Sequence, residues 1–447
     1  MKSKSVFREF LKYISLNMLG MVGLSSYIFA DTYFIANRFG QDGLSAINLA
    51  MPVFGFVLAA GLMLSHGGGT RYSIHRGRGE PEEANAAFMH ALYIWAVLAA
   101  VFLICGIFFS GQIARLMGAD ESVIDMSRLY LRMLLLFAPI FLLNHTMQNF
   151  IRNDGAPQLS MLAMIFGNIM NIILDYVFIY PLDMGVFGAA LATCLSPVWS
   201  LCILSTFFIL KKNNFHLKKT PLKTQHIVRI ISSGVPTLIT EVSSSIVIIL
   251  YNTVTYRLMG NLGIAAYGIV ANTAIIVLAI FSGIAQGTQP LLSRYYGAGE
   301  LKTVRAVMRY AVITLVSLAV VLYAAILIGA DGIAALFNSE KDPVMQQVAS
   351  VGVRIYFAAV LFAGTNLLLS VFFTSTEYAR LAFVISLMRG IAVIAPLILL
   401  FSTLFEMTGV FMAFPATELI TVLAGLAFYR YRRKKLFAGA PGALPAQ

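Results

Sequence analysis

The sequence predicts an all-α polytopic membrane protein with twelve transmembrane helices in two pseudo-symmetric six-helix lobes. Three observations lead there. Apolar residues make up 59% of the chain and charged residues only 12%, whereas a soluble domain is roughly half apolar and one quarter charged. The basic residues alternate between two sets of loops, and the two halves of the chain repeat one another.

Apolar runs long enough to cross a hydrocarbon core of about 30 Å fall near residues 13–36, 44–69, 86–109, 128–150, 158–181, 185–210, 235–257, 264–289, 306–328, 350–374, 380–403 and 408–429. The first follows Lys2, Lys4, Arg8, Glu9 and Lys12 directly. It is too long for a signal core and has no small-residue cleavage site, so it is expected to stay on the chain. Alternating the loops puts twenty-four Lys and Arg on one side and four, Arg38, Arg115, Arg257 and Lys341, on the other. Basic loops face the cytoplasm, so both termini are expected there. The net charge of +12 therefore reports topology. Its cations lie in short loops and not in a stripe interleaved with aromatics, so nucleic acid is not an expected partner. Cys105, Cys194 and Cys202 all lie in apolar runs and read as packing residues.

The longest hydrophilic connection, Lys211 to Arg229, separates near-equal halves. The expected organisation is an N-terminal lobe at 1–212, a cytoplasmic linker at 213–232, a C-terminal lobe at 233–435 and a disordered Gly/Ala/Pro tail at 436–447. A shift of 220 residues aligns Gly40 with Gly260, Gly67 with Gly287, Ser73 with Ser293, Gly79 with Gly299 and Glu80 with Glu300, giving twelve identities in 48 positions without a gap. Six spans per half is an even number, so both halves enter from the same side and are expected to flank a cleft. His66-Gly67-Gly68-Gly69 imitates the oxyanion loop of lipases, but no G-x-S-x-G elbow accompanies it and it reads as a turn ending a span.

The stretch with the clearest chemistry is Gly167 to Ile179, in span five. Asn171 and Asp175 are four residues apart, so they share a helix face, and Asp175 is the only ionisable group in the run's apolar part. A charge there is costly, so such a carboxylate tends to face a cavity and exchange a proton or hold a cation. The plainer alternative is that the pair ties helices together by hydrogen bonds. In the second half, Glu241 lies early in span seven within Thr240-Glu241-Val242-Ser243-Ser244-Ser245, and Gln286 and Gln289 lie near the end of span eight. These three are candidates to meet a cation or a substrate, or else are helix-tying and interfacial groups. Arg389 and Glu418, inside spans eleven and twelve, are each costly alone and are expected to form a buried ion pair. There is no G-x-x-x-x-G-K-[ST] phosphate loop, so work on a solute would be driven by an ion gradient, without a cofactor or metal. His66, His90 and His145 lie on separate spans without metal spacing or a nucleophile's company, so an intramembrane enzyme is not expected.

Five segments carry a family likeness: Ala30-Asp31-Thr32-Tyr33-Phe34-Ile35-Ala36 with Gly40, Asn149 to Gly155, Asn168 to Asp175, Ala285-Gln286-Gly287-Thr288-Gln289-Pro290 with Gly297-Ala298-Gly299, and Pro415-Ala416-Thr417-Glu418. With them the chain, from about Phe10 to Arg433, resembles the multidrug and toxic compound extrusion (MATE) family and, within it, the MepA branch. The resemblance implies an antiporter that exports amphipathic, mostly cationic small molecules in exchange for H⁺ or Na⁺, H⁺ foremost. It also implies a monomer in the bilayer of a bacterial cell membrane. In that family a span-one aspartate joins the Asn/Asp pair of span five in a polar cluster, and Asp31, Asn171 and Asp175 match those positions. Glu241 matches a span-seven glutamate linked to cation coupling. Members that use Na⁺ in that lobe also carry a span-ten aspartate, and this chain has no acid between Arg354 and Phe373. The alternative is a flippase for lipid-linked saccharides or another amphiphile. The deep charges are mainly the acids Asp31, Asp175 and Glu241, which favours cationic cargo.

Overall fold

The computed structural model describes residues 2–438 apart from 120, 122 and 339–341, with side chains described only in part within 2–48 and the backbone alone at 433–438. Its regular elements are all helical: α1 (Lys2–Arg78), α2 (Pro81–Ile104), α3 (Ser110–Leu116), α4 (Ile124–Asn153), α5 (Pro157–Ile179), α6 (Gly185–Ile209), α7 (Thr224–Gly297), α8 (Leu301–Phe337), α9 (Pro343–Tyr356), α10 (Val360–Ser375), α11 (Ala379–Leu387) and α12 (Ile394–Ala438). A π-helical turn, Cys105–Phe109, joins α2 to α3, another, Met388–Ala392, lies between α11 and α12, and a 3₁₀ turn, Phe357–Ala359, joins α9 to α10.

Nine described helical stretches are long and apolar enough to cross a membrane. Two of them hold two spans each. Thr224–Gly297 reverses at Gly260 (φ 61°, ψ −143°), and Ala379–Arg432 reverses at Glu406 (φ 51°, ψ −134°). That makes eleven, and the run at 13–36 lies on α1 ahead of the stretch Leu49–Arg78. Helix numbers are therefore not span numbers. The packing of α5 shows what lipid does to a sequence. Its buried stripe holds Ser160, Gly167, Asn168, Asn171 and Asp175, while Leu162, Ile169, Ile173 and Tyr176 point outward. The usual amphipathic arrangement is turned inside out, as a hydrocarbon solvent demands.

The repeat is visible in the backbone. Gly79 and Gly299 both adopt positive φ, 75° and 72°. The amides of Gly79 and Glu80 donate to Arg76 and His75, and those of Gly299 and Glu300 donate to Tyr296 and Tyr295. Each is a Schellman cap in which the left-handed residue satisfies the last carbonyls of its helix. The glycines at 67–69, by contrast, make no turn, because α1 runs on to Arg78. They remove side chains where neighbours press close: a Cβ at Gly67 would meet Ile230, one at Gly68 the Phe150 ring, and one at Gly69 Asn149.

By its packing the chain divides into Leu19–Glu241 and, separately, Met1–Met18 with Val242–Gln447. This partition differs from the sequence halves in two ways. The first turns of α1 pack with the second unit, and residues 213–241 pack with the first. The expected linker is in fact a strap held in place, and α7 already begins at Thr224. Phe215 is fully buried among Tyr72, Phe88, Phe150 and Phe207. The Asn214 amide donates to Asp154 at 2.8 Å, and Tyr93 donates to the Thr220 carbonyl at 3.0 Å. The tail lies outside the described residues from 439 onward, whereas 436–438 continue α12 as helix. The side chains of Arg433, Lys434 and Lys435 also lie outside the described set.

In the first unit the core centres on α4, whose Tyr130, Leu131, Leu134, Leu135, Ala138 and Leu142 are all buried. Arg71 and Arg152, read from the sequence as loop cations, are buried at the ends of α1 and α4. The ion pairs Arg38–Asp183 and Arg294–Glu9 each join residues that the loop charges place on the same side of the membrane. That agreement supports the relative assignment of loops to sides.

Candidate functional site

The candidate site lies inside the first unit, where α5 presents its polar stripe. Asn171 and Asp175 are wholly buried and Asn168 nearly so, and they stack along one face because they are spaced three and four residues apart. Next to them α6 approaches closely. Ser196 Oγ donates to the Gly167 carbonyl at 2.9 Å, and a Cβ at Gly167 would lie 3.1 Å from the Ser196 carbonyl oxygen. Asp31, half-buried on α1, comes within coulombic reach of Asp175, so the two carboxyl groups face one another. Tyr27 of α1 and Tyr130 of α4 sit in the field of both.

This cluster is rich in polar atoms that the protein does not satisfy. Oδ1 of Asp31, both amide atoms of Asn171 and Nδ2 of Asn168 have no hydrogen-bond partner among the described residues, and the Asp175 oxygens have none but the Asp31 carboxyl, a bond that needs a proton on one of the two. Buried polar groups are nearly always paired, since an unpaired one costs roughly 1–3 kcal/mol and a charged one more. So many unpaired atoms around two carboxyl groups leave acceptors free for a proton or a cation. The arrangement can take up positive charge, as a proton shared by the carboxyls or as a small cation held by carboxylate and amide oxygens. Among the described residues there is no group of three His, Cys, Asp or Glu spaced to hold a metal ion.

The other sequence candidates fall elsewhere. Glu241 is exposed at the end of the first unit. Gln286 is half-buried and Gln289 buried, both in the second unit, and Gln289 donates to Ser293 on its own helix at 3.1 Å. Arg389 and Glu418 meet. Nε of Arg389 donates to both oxygens of Glu418 at 3.0 and 3.1 Å, and Nη2 donates to Oε1 at 2.8 Å. Asn366 of α10 adds bonds from Nδ2 to Oε2 at 2.6 Å and to the Glu418 backbone carbonyl at 2.9 Å. The π-helical turn Met388–Ala392 carries Arg389 into this position. Sequence reasoning missed Asn168, Asn366, Tyr27 and Tyr130. Asn168 was legible from its spacing to Asn171 and Asp175, and Asn366 as a polar residue in an apolar run. Nothing in the sequence distinguishes the two tyrosines from the seventeen others.

These features, an all-helical membrane body in two repeated halves with a polar cluster buried inside a span, belong to the class of membrane transporters. A family sequence profile described as MatE matches residues 17–177 and 236–400, one stretch in each half. The chain belongs to the MATE family of transporters, which are not enzymes. It is 25% identical over 445 residues to the multidrug export protein MepA of Staphylococcus saprophyticus, covering 97% of this chain and 96% of that one. It is also 25% identical over 433 residues to the MepA protein of Staphylococcus aureus strain MSSA476, covering 96% and 95%. Among solved structures it matches an outward-facing multidrug resistance MATE family transporter of the MOP superfamily (TM-score 0.91, 22% identity, 96% of each chain). It likewise matches a MATE protein in complex with MaL6 (TM-score 0.92, 23% identity, 96% and 97% covered). The fold is thus the twelve-helix, two-lobed MATE fold.

Proposed function

We propose that this protein is a proton-coupled antiporter that exports amphipathic, mostly cationic small molecules by alternating access, with Asp31, Asn171 and Asp175 as its coupling site. The observation that carries the reading is the pairing of the Asp31 and Asp175 carboxyls beside unpaired Asn171 and Asn168 amides. Two acidic groups enclosed together, with no cationic side chain bonded to them among the described residues, favour an arriving positive charge. The Arg389–Glu418 pair supports the same conclusion from the other unit. Glu418 already has a permanent internal cation and an amide donor on its oxygens, so it offers no free charge to an ion. The similarity to MepA proteins, which are multidrug exporters by name, supports drug-like cargo. The loop charges support a bacterial cell membrane orientation with both termini cytoplasmic.

The test is ethidium efflux from vesicles containing the purified protein, with a pH gradient and a Na⁺ gradient imposed separately and Asp175→Asn alongside. Efflux driven by the pH gradient and abolished by Asp175→Asn is expected. Efflux driven only by Na⁺ would replace the coupling ion. An Asp175→Asn variant that works normally would remove the site, and dye that moves under neither gradient would point to the flippase reading.

A further inference from the structure

The strap between α6 and α7 is pinned from the inside at four points. The Asn214 amide donates to Asp154, the His216 amide to Asn85 Oδ1 at 2.6 Å, Tyr93 to the Thr220 carbonyl, and the Lys223 amide to His90 Nε2 at 2.9 Å. Phe215 fills the aromatic pocket beneath. Between these pins the chain turns outward twice, as Leu217-Lys218-Lys219 and as Pro221-Leu222, all of them exposed. Leu217 is 80% exposed and Leu222 65%. A single exposed leucine is common on proteins, so the meaning of these two rests on where the strap lies.

Its partners on α2 fix its height. Asn85, His90 and Tyr93 stand at the start of a helix whose apolar run begins near residue 86. From Asn85 to Tyr93 is about 12 Å of helix at 1.5 Å per residue. The strap therefore runs beside the end of a membrane-crossing segment, where headgroups meet acyl chains. It also lies on a lipid-facing side. Val97 and Val101 follow Tyr93 at helical spacing and are exposed, as are Ile209 and Leu210 where α6 ends and the strap begins. At that height and on that face, exposed leucines meet the acyl boundary, as those of interfacial anchors do.

The charges around the leucines leave a surplus of one sign. Lys218 lies 3.7 Å from Glu82 and Lys223 3.9 Å from Glu83, which His226 also meets at 3.2 Å. Lys211, Lys212 and Lys219 are exposed and have no acid within ion-pair reach among the described residues. Lys219 also lines a cleft of about 480 Å³ between the strap and α2, together with Arg76, Asn214, His216 and Lys223. Glu82 and Glu83 line it as well, each already facing a lysine. Arg76 is only loosely held, 3.9 Å from Asp154. Such a cleft has room for a phosphodiester headgroup and cations to bind it.

We propose that the strap docks on anionic phospholipid of the leaflet on its own side of the membrane, cytoplasmic by the loop charges. Leu217 and Leu222 enter the acyl boundary, Lys211 and Lys212 lie over the phosphates, and Lys219 with Arg76 holds a headgroup in the cleft. Both contributions are needed, because neither two leucines nor a few lysines hold a bilayer firmly alone. The pins to α2 and α4 already order the strap, so docking loses little conformational freedom. It ties the unit that contains Asp31 and Asp175 to the charge of the leaflet.

The test uses full-length protein with Cys105 and Cys202 replaced by serine and Cys194 by alanine. An environment-sensitive fluorophore is placed on Leu217→Cys or, separately, on Leu222→Cys, in nanodiscs of phosphatidylcholine with or without phosphatidylglycerol. With phosphatidylglycerol present, emission at both sites is expected to shift to the blue and to be quenched by chain-brominated lipid. Lys219→Gln is expected to lower the ratio of quenched to unquenched label about fivefold, the effect of one cation at an anionic surface. Adding Lys211→Gln and Lys212→Gln is expected to abolish the response to phosphatidylglycerol. Labels that report water in anionic nanodiscs, as they do in detergent, would overturn the docking. An equal response in phosphatidylcholine alone, or one that survives the triple change, would overturn the recognition of anionic lipid. A blue shift produced in detergent by soluble glycerol phosphate would assign the cleft to a free phosphate compound and remove lipid as its occupant. The readout needs no transport, so its outcome is separate from that of the ethidium experiment on Asp175.

Discussion

At the scale of single residues, the membrane makes ionisable groups speak clearly, because each one inside a span must have a partner or a purpose. Arg389 and Glu418 have a partner. Their side chains are 12% and 1% exposed, and removing either charge strands the other. Glu418→Gln or Arg389→Met is expected to destabilise the protein by about 3–5 kcal/mol, whereas the double change Arg389→Met with Glu418→Leu should cost much less. Apparent melting temperatures of the purified variants in detergent would show it, and equal, additive losses would mean that the pair does not act as a unit. Both residues were legible in the sequence for the reason that makes them costly. Asp175 and Asn171 were legible in the same way, through a helical spacing within an apolar run. Tyr27 and Tyr130 were not, since a tyrosine in a span is common and only the fold brings these two into the field of the carboxyls.

At the scale of elements, hydropathy located the spans well because lipid allows little besides a helix. What it missed were changes inside helices. The π-helical turns at Cys105–Phe109 and Met388–Ala392 leave no mark in the residue pattern, and the glycines at 67–69 were mistaken for a turn because close approach and reversal use the same residue. One cap carries a prediction. The amides of Gly155 and Ala156 donate to Arg152 and Ile151, and in the second half those of Glu377 and Tyr378 donate to Thr374 and Phe373. Gly155 (φ 100°) and Glu377 (φ 67°) thus fill the same left-handed cap position. A side chain there costs roughly 1–2 kcal/mol against glycine in the folded state, partly offset by glycine's extra freedom when unfolded. Glu377→Gly is therefore expected to stabilise the protein by about 0.5–1 kcal/mol, read as a rise in melting temperature. A fall would show that the contacts of the Glu377 side chain outweigh its backbone strain.

At the scale of the whole molecule, the repeat predicted two like halves but not that they trade their first helical turns. That exchange was invisible because identities at Gly67 and Gly287 show only that two positions are alike, and nothing in the alignment says which helix each glycine receives. Its consequence concerns how the halves come to be stable. The strap around Phe215 belongs with the first half, whereas the start of α7 from Thr224 seats on Met63 and Gly67 of α1. In the same way residues up to Met18 seat on Gly283 and Gly287 of α7. A chain divided between Leu222 and Lys223 keeps the strap with its aromatic pocket but leaves each half without the segment that the other supplies. Expressed alone, each half is expected to be degraded or to aggregate, because glycine seats and buried backbone would then face lipid unfilled. Expressed together, the halves are expected to co-purify through a tag on either one and to restore ethidium efflux. If either half alone gave a monodisperse, protease-resistant product, the lent segments would be ornaments of the packing and not the ties that hold the two repeats to each other.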